Sequence, residues 1–300
     1  MKIGISVPNN WGVSSPETLI DLAVLAEELG LASIWTSEHF VHVTYVRDRI
    51  GERPYYHSLA ILSAIASRTT KIALGTSVLV LPFHHPFDLA KYIATLDCLS
   101  RGRVILGVGS GNVEEEFDVL GMPWAKRGAM TDEILAILRT LWEQESAAHE
   151  GEFWQFSDVH TSPKPYRERR IPIWIGGASP PALRRVARMG DGWQPVGVTP
   201  EQFAGQVAEL RRMTEQAGRD PAEIEVCARF NVALDDTESA GHEMLSLVDG
   251  RDMARMVDIA TRFQAAGADH FIYALNGRDP EVLQSMVRAI AQDVLPLVSS

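Results

Sequence analysis

Short β-branched or apolar runs alternate with long amphipathic stretches along the whole chain, and the alternation repeats eight times. Parallel strands joined by crossover helices produce this rhythm, because a parallel neighbour is reached only through a connection long enough to hold a helix. The strand candidates are residues 2–7, 32–36, 71–81, 103–108, 171–176, 192–196, 224–232 and 269–273. Eight is the number that closes a parallel sheet on itself, so the expected fold class is α/β, a (β/α)8 TIM barrel with insertion segments in its βα loops. A chain of 300 residues with 46% hydrophobic content can bury such a core, and residues 1–300 are expected to form a single domain.

The ends of the pattern carry clear punctuation. A first helix over 16–29 starts after Ser15 as cap with Pro16 in its first turn, and stops at Gly30. A last helix over 280–295 repeats that logic with Asp279 and Pro280, and Val282, Leu283, Met286, Ile290 and Val294 recur at helical spacing. Two segments break the rhythm. Residues 41–56 mix Tyr, Arg, His and Pro without periodicity, which suits a long βα loop lying as a lid over the mouth of a barrel. Residues 150–170 place alternating aromatics before prolines and predict a short hairpin with an extended tail.

Composition narrows the partners. The net charge of −11 is spread along the chain with no Lys/Arg block, so neither nucleic acid nor an anionic membrane is an expected partner. No apolar run approaches the roughly 20 residues of a membrane span, and the start MKIGISVPNN lacks a secretory pattern, so a cytoplasmic protein is expected. Cys98 and Cys227 stand alone and are read as reduced core residues. His42, His57 and the pair His84-His85 have no carboxylate or third ligand at a metal-binding spacing, and no metal site is expected. His84 and His85 are read as rim or packing residues.

Three places carry chemistry. Glu38 and His39 follow an apolar strand directly, which in a barrel puts them at the C-terminal rim where catalytic groups collect. An imidazole there can exchange a proton near neutral pH. The run from Gly107 through Ser110, Gly111 and Asn112 ends the fourth strand, and its small residues let backbone amides approach a ring edge. Gly176, Gly177, Ala178 and Ser179 end the fifth strand just before a helix opening near Pro180, a setting in which free amides can receive a phosphate. Arg184, Arg185 and Arg188 on that helix are read as solvated. Glu114, Glu115 and Glu116 are expected to cap a helix and pair near Arg127, with Glu115 the member that could line a pocket. Trp35, Trp174 and Trp193 are expected to pack the barrel.

The segments WTSEHF (35–40), LGTSVLVLPFHHP (74–86), SRGRVILGVGSG (100–111), RGAMTDEILAILRTLW (127–142) and PIWIGGASPPALRRVARMGDGW (172–193) occur in this order with barrel spacing. In them the chain resembles the luciferase-like monooxygenase superfamily over nearly its whole length, and is more similar to the coenzyme F420-dependent oxidoreductase branch than to bacterial luciferase. The resemblance implies a barrel that binds the deazaflavin F420, or alternatively FMN, with His39 as the catalytic proton-transfer group and Glu38 touching the cofactor. It further implies a non-prolyl cis peptide at Ser77–Val78 against the ring face, cofactor contacts from Ser110, Gly111 and Asn112, a cofactor phosphate on Gly176–Ser179, and a homodimer. The implied activity is hydride transfer between F420 and a small organic substrate: a carbonyl, an alcohol or an activated double bond. Two alternatives stay open, a monooxygenase using reduced FMN and oxygen, and a flavin-binding barrel without turnover. A metal-dependent barrel hydrolase is disfavoured. Asn112 stands where the family's sugar-phosphate dehydrogenases carry a catalytic Glu, so their two-residue acid/base scheme does not carry over, and His39 is expected to act without that acid.

Overall fold

A computed structural model describes residues 1–234 and 247–298. Eight strands, β1 Lys2–Ser6, β2 Ser33–Thr36, β3 Ala73–Thr76, β4 Val104–Gly109, β5 Ile173–Gly176, β6 Gly192–Gln194, β7 Glu225–Ala233 and β8 His270–Asn276, pair in parallel in chain order. β8 pairs with β1 and with β7, and β7 with β6, which closes the barrel. Each expected strand forms with shifted ends, and one divides. The run 71–81 stops at Thr76, and Leu79–Val80 pairs separately with Val108 and Gly109, so the strand steps sideways between them.

Around the barrel lie α1 Pro16–Glu28, α2 Thr44–Ile50, α3 Ser58–Arg68, α4 Pro86–Ser100, α5 Glu114–Val119, α6 Arg127–Glu143, α7 Pro180–Met189, α8 Pro200–Gln216, α9 Met253–Ala265 and α10 Pro280–Ala289. The expected caps form: Ser15 accepts from the Glu17 amide, and Asp279 from the amides of Glu281 and Val282. The last helix is not continuous to residue 295. It widens into a π turn over Ile290–Val294, just ahead of Pro296, whose ring and missing N–H an α-helical turn would not accommodate.

The two irregular segments also differ from expectation. Residues 41–56 contain α2, whose Val46 and Ile50 bury with Val43 against Trp11, Val41, Tyr55 and Val113. Seven residues hold too few turns to leave a readable period. The hairpin pairs Ala147–Glu150 with Gln155–Val159, beginning three residues earlier than the sequence suggested. Glu133 of α6 fastens its tip through the amides of Phe153 and Trp154. The tail is held by the fully buried Asp97, which accepts from the Tyr166 amide at 3.0 Å and the Arg169 guanidinium at 2.8 Å. Arg185 is not solvated. It lies on the buried stripe of α7, with its Nε 2.5 Å from Asp132 and an Nη donating to the Gly128 carbonyl.

The barrel interior is plugged by two indoles. Trp35 and Trp174 stack with centroids 5.0 Å apart, with Cys227 and Ile272 beside them. Glycines make the room: a Cβ at Gly75 would lie 2.2 Å from the Trp35 ring, and one at Gly192 would lie 2.4 Å from Trp174. Beneath the plug, the Ser33 hydroxyl accepts from Trp35 Nε1 and meets His270 Nε2, each at 2.7 Å, while His270 Nδ1 faces Glu225. Trp193 points outward instead, stacking on Phe203 of α8 at 5.2 Å. A second polar group stands on the other side of the plug, where Glu38 and His39 follow the carboxyl end of β2.

Candidate active site

Beyond Thr36 the chain rises over the rim as Ser37-Glu38-His39. Asn9, wholly buried after β1, clamps this turn: its amide donates to the carbonyls of Ser37 and Tyr56, and its Oδ1 accepts the Ser37 N–H. With the backbone fixed, the two side chains that follow diverge.

Glu38 is buried, and its carboxylate accepts the Val80 N–H at 2.8 Å and lies 3.0 Å from His84 Nε2 through both oxygens. It thus pins the displaced Leu79–Val80 segment to β2, so both oxygens already have protein donors. His84, read from the sequence as a rim or packing residue, is a partner in this brace.

His39 leans the other way. Its Nδ1 is 2.6 Å from Oε2 of Glu116, whose other oxygen accepts the Phe40 N–H at 2.6 Å. Glu116 is 1% exposed, so this carboxylate has exchanged water for two protein donors. Tyr45 and Tyr55 flank the imidazole at 5.8 and 5.7 Å. With Nδ1 turned to the carboxylate, Nε2 is the ring nitrogen left for a substrate.

The acidic run therefore does not do what its sequence suggests. Glu115 accepts from the backbone and hydroxyl of Thr44 and ties α5 to α2, and Glu116 reaches His39. Arg127 lies over the Trp124 ring at 3.6 Å instead. Position 112 offers no acid, as the sequence indicated, and Asn112 is exposed; the carboxylate that meets His39 arrives four residues later, from the first turn of α5.

The Ser77–Val78 peptide is cis, as the resemblance implied. Its Val78 side chain spans the mouth between β4 and β5, where a Cβ on Gly109 would stand 3.0 Å, and one on Gly176 3.1 Å, from its methyl groups. At Gly107 a Cβ would fall 1.8 Å from the Thr76 carbonyl oxygen. The small residues of this run thus let β3, β4 and β5 crowd together around Val78. Gly111, at φ +81°, packs where a Cβ would fall 2.6 Å from the Phe117 ring and 2.9 Å from Val80.

Gln194, at the end of β6, was not singled out by sequence reasoning. It is 2% exposed, and among the described residues its amide meets no nitrogen or oxygen partner, its one polar neighbour being the Cys227 thiol. A lone buried Gln on a three-residue strand carries no sequence signal, and a buried amide without a nitrogen or oxygen partner is uncommon.

The Gly176–Ser179 turn is held from behind. Trp193 Nε1 donates to the Gly177 carbonyl at 2.8 Å and Gln206 to that of Ala178 at 2.9 Å, while Gly177 sits at φ +99°. The helix start is poorer in donors than expected, because Pro180 and Pro181 supply no N–H, so an anion here relies on the turn itself.

Comparison with known proteins places this geometry. The sequence profile described as luciferase-like monooxygenase matches residues 1–279. The F420-dependent glucose-6-phosphate dehydrogenase of Amycolatopsis mediterranei is 36% identical over 59% of this chain, and the aligned part is 53%, about half, of that relative's length. The protein of the same name from Microbacterium testaceum is 28% identical over 94% of this chain and 93% of its own. Among solved structures, the monooxygenase RslO1 of Streptomyces bottropensis superposes with a TM-score of 0.77 at 25% identity, covering 99% of each chain. An F420-dependent secondary alcohol dehydrogenase shares the fold with a TM-score of 0.82 at 20% identity, over 99% of this chain and 98% of its own.

Proposed function

The chain belongs to the luciferase-like monooxygenase family, and on that premise we propose that it is a coenzyme F420-dependent oxidoreductase acting on a small organic carbonyl, alcohol or activated double bond. The observation that carries the reading is the His39–Glu116 pair at the barrel mouth. A binding barrel without turnover has no use for a carboxylate buried against an imidazole whose other nitrogen is left to a ligand.

The residues present fit a flat ring with alternating donors and acceptors. Gln194 offers an amide without a nitrogen or oxygen partner among the described residues, and Gly109 and Gly176 carry no side chain beside Val78. Ser110, Gly111 and Asn112 would contact the ring edge, and Gly176–Ser179 would take the cofactor's phosphate. When bound, the deazaflavin supplies hydride exchange with the substrate carbon. His39 then handles the proton. Nε2 takes it from a hydroxyl during oxidation or gives it to a carbonyl oxygen during reduction, and Glu116 stabilises the imidazolium through Nδ1. Glu38 acts at one remove, by holding the wall.

The likeness to RslO1 favours a second reading, a monooxygenase using reduced FMN and oxygen. Titration of the purified protein with F420 and FMN, each oxidised and reduced, separates the two. The proposal expects micromolar or tighter binding of F420 and binding of FMN at least tenfold weaker; the reverse order sinks it.

A further inference from the structure

Above the indole plug stand two guanidinium groups that the proton-transfer pair does not use. Arg229 is two residues beyond Cys227 on β7 and shares its inward face, so its head lies over the plug. Among the described residues its Nε is buried without a partner, and the side chain donates to Asn231 at 3.5 Å. Arg49 comes from the lid helix α2, sandwiched between the rings of Trp11 and Tyr45 at 5.0 Å from each. One Nη donates to the Tyr45 hydroxyl, but its Nε and other Nη are buried and unpaired. The Tyr55 hydroxyl is also buried without a partner, on the ring that meets His39 edge-on at 5.7 Å.

These groups feel one another. Burial draws Arg229 down to about 10, with Tyr45 and Tyr55 opposing that and Arg49 adding to it. Burial raises the Tyr55 phenol, and Arg49 holds it back. Among the described residues no carboxylate pairs with either arginine. Glu38 and Glu116, the carboxylates nearest Tyr55, are engaged elsewhere. Two like charges with unpaired buried donors are a costly arrangement in an empty protein, and one that an oxyanion would satisfy with donors in fork geometry.

We propose that Arg49, Arg229 and Tyr55 form a subsite for an anionic oxygen group on the substrate, a carboxylate or a phosphate, placed so that the reacting carbon faces His39. This deepens the proposed function and rests on it. Because Arg49 rides on α2 while Arg229 is rooted in the barrel, the anion would also tie the lid down over the site.

The test uses calorimetric titration and thermal melts of the whole protein with inorganic phosphate and with benzoate, and F420 titrated in parallel. Saturable binding of either anion is expected, at least tenfold weaker in Arg49→Gln and in Arg229→Met, with F420 affinity changed less than twofold. Preference for phosphate or benzoate identifies which oxyanion the subsite takes. In anion-free buffer Arg229→Met is expected to melt higher than the wild type, since an apolar chain replaces an unpaired buried charge, yet to lose the anion-induced rise in Tm; Arg229→Lys regains part of that rise. Should Arg229→Met fold poorly, Arg49→Gln and Tyr55→Phe carry the same comparison. No saturable anion binding, binding that ignores both arginines, or F420 affinity falling as far as anion affinity would each overturn the subsite. Arginine-dependent anion binding in a protein that does not bind F420 would support the subsite and sink the deazaflavin reading instead.

Discussion

His39 and Glu116 are 77 residues apart in the chain and 2.6 Å apart in space, Nδ1 to Oε2. The contact exists because β2 delivers the imidazole to the rim and the first turn of α5 lays a buried carboxylate across it. A carboxylate accepts but does not donate, so the neutral ring is held with its proton on Nδ1 and its lone pair on Nε2.

Replacing Glu116 by Gln offers Nδ1 an amide that can donate, which allows the opposite tautomer. Turnover is expected to fall by about 10²-fold, in the range of a lost general acid/base, with F420 affinity nearly unchanged. His39→Asn should cost a similar factor, and the double variant little more, because the two act as one unit. Steady-state kinetics beside cofactor titration checks this; losses that multiply would show two independent roles.

Glu38→Ala leaves the Val80 N–H and the His84 ring without their acceptor. A destabilisation of about 1–3 kcal/mol is expected from the orphaned buried donors, read from urea denaturation, with weaker cofactor binding as the Val78 wall shifts. Were cofactor affinity to drop while stability held, the carboxylate would have to touch the cofactor directly, as the resemblance alone suggested.

Gly75→Ala drives a Cβ to 2.2 Å from the Trp35 ring in a plug that has no slack. The expected cost is about 1–3 kcal/mol, the usual range for overpacking. Combining it with Trp35→Phe should recover part of that loss, since the smaller ring vacates the contested space. A double variant as unstable as the sum of the two singles would contradict this packing.

His270 gives stability a pH dependence with a definite sign. Burial holds its folded-state pKa below the ordinary 6.5. As pH falls below about 6.5 the unfolded chain takes the proton first, so its contribution is full above that value and is lost toward the lower folded pKa. In urea melts from pH 7.5 to 5, the gap between wild type and His270→Gln should therefore narrow as pH falls. A constant gap would mean the site does not titrate in this window.

The barrel was legible because eight strand periods and their helices are local patterns, each carried by neighbouring residues. The same holds for Glu38-His39, which sit at the end of a readable strand. Glu116 was not legible. In a run of three glutamates the sequence favours Glu115 as the pocket-facing member, and only the register of a six-residue helix decides that the third faces inward while the second meets Thr44. Arg229 and Gln194 were hidden for a related reason: on a barrel strand the side-chain alternation places a residue inside or outside, but its height above the plug depends on all eight strands at once. His84 joined the brace only because β3 breaks at Thr76 and Leu79–Val80 is carried sideways toward Glu38.

The stacked Trp35 and Trp174 also govern traffic. They fill the barrel interior, so a ligand of His39 approaches from the carboxyl ends of the strands and not through the bore. Whichever of two ligands lies deeper must come first and leave last. On the proposed function, cofactor and substrate would share that approach, and an ordered sequence of binding and release would follow from the filled barrel interior.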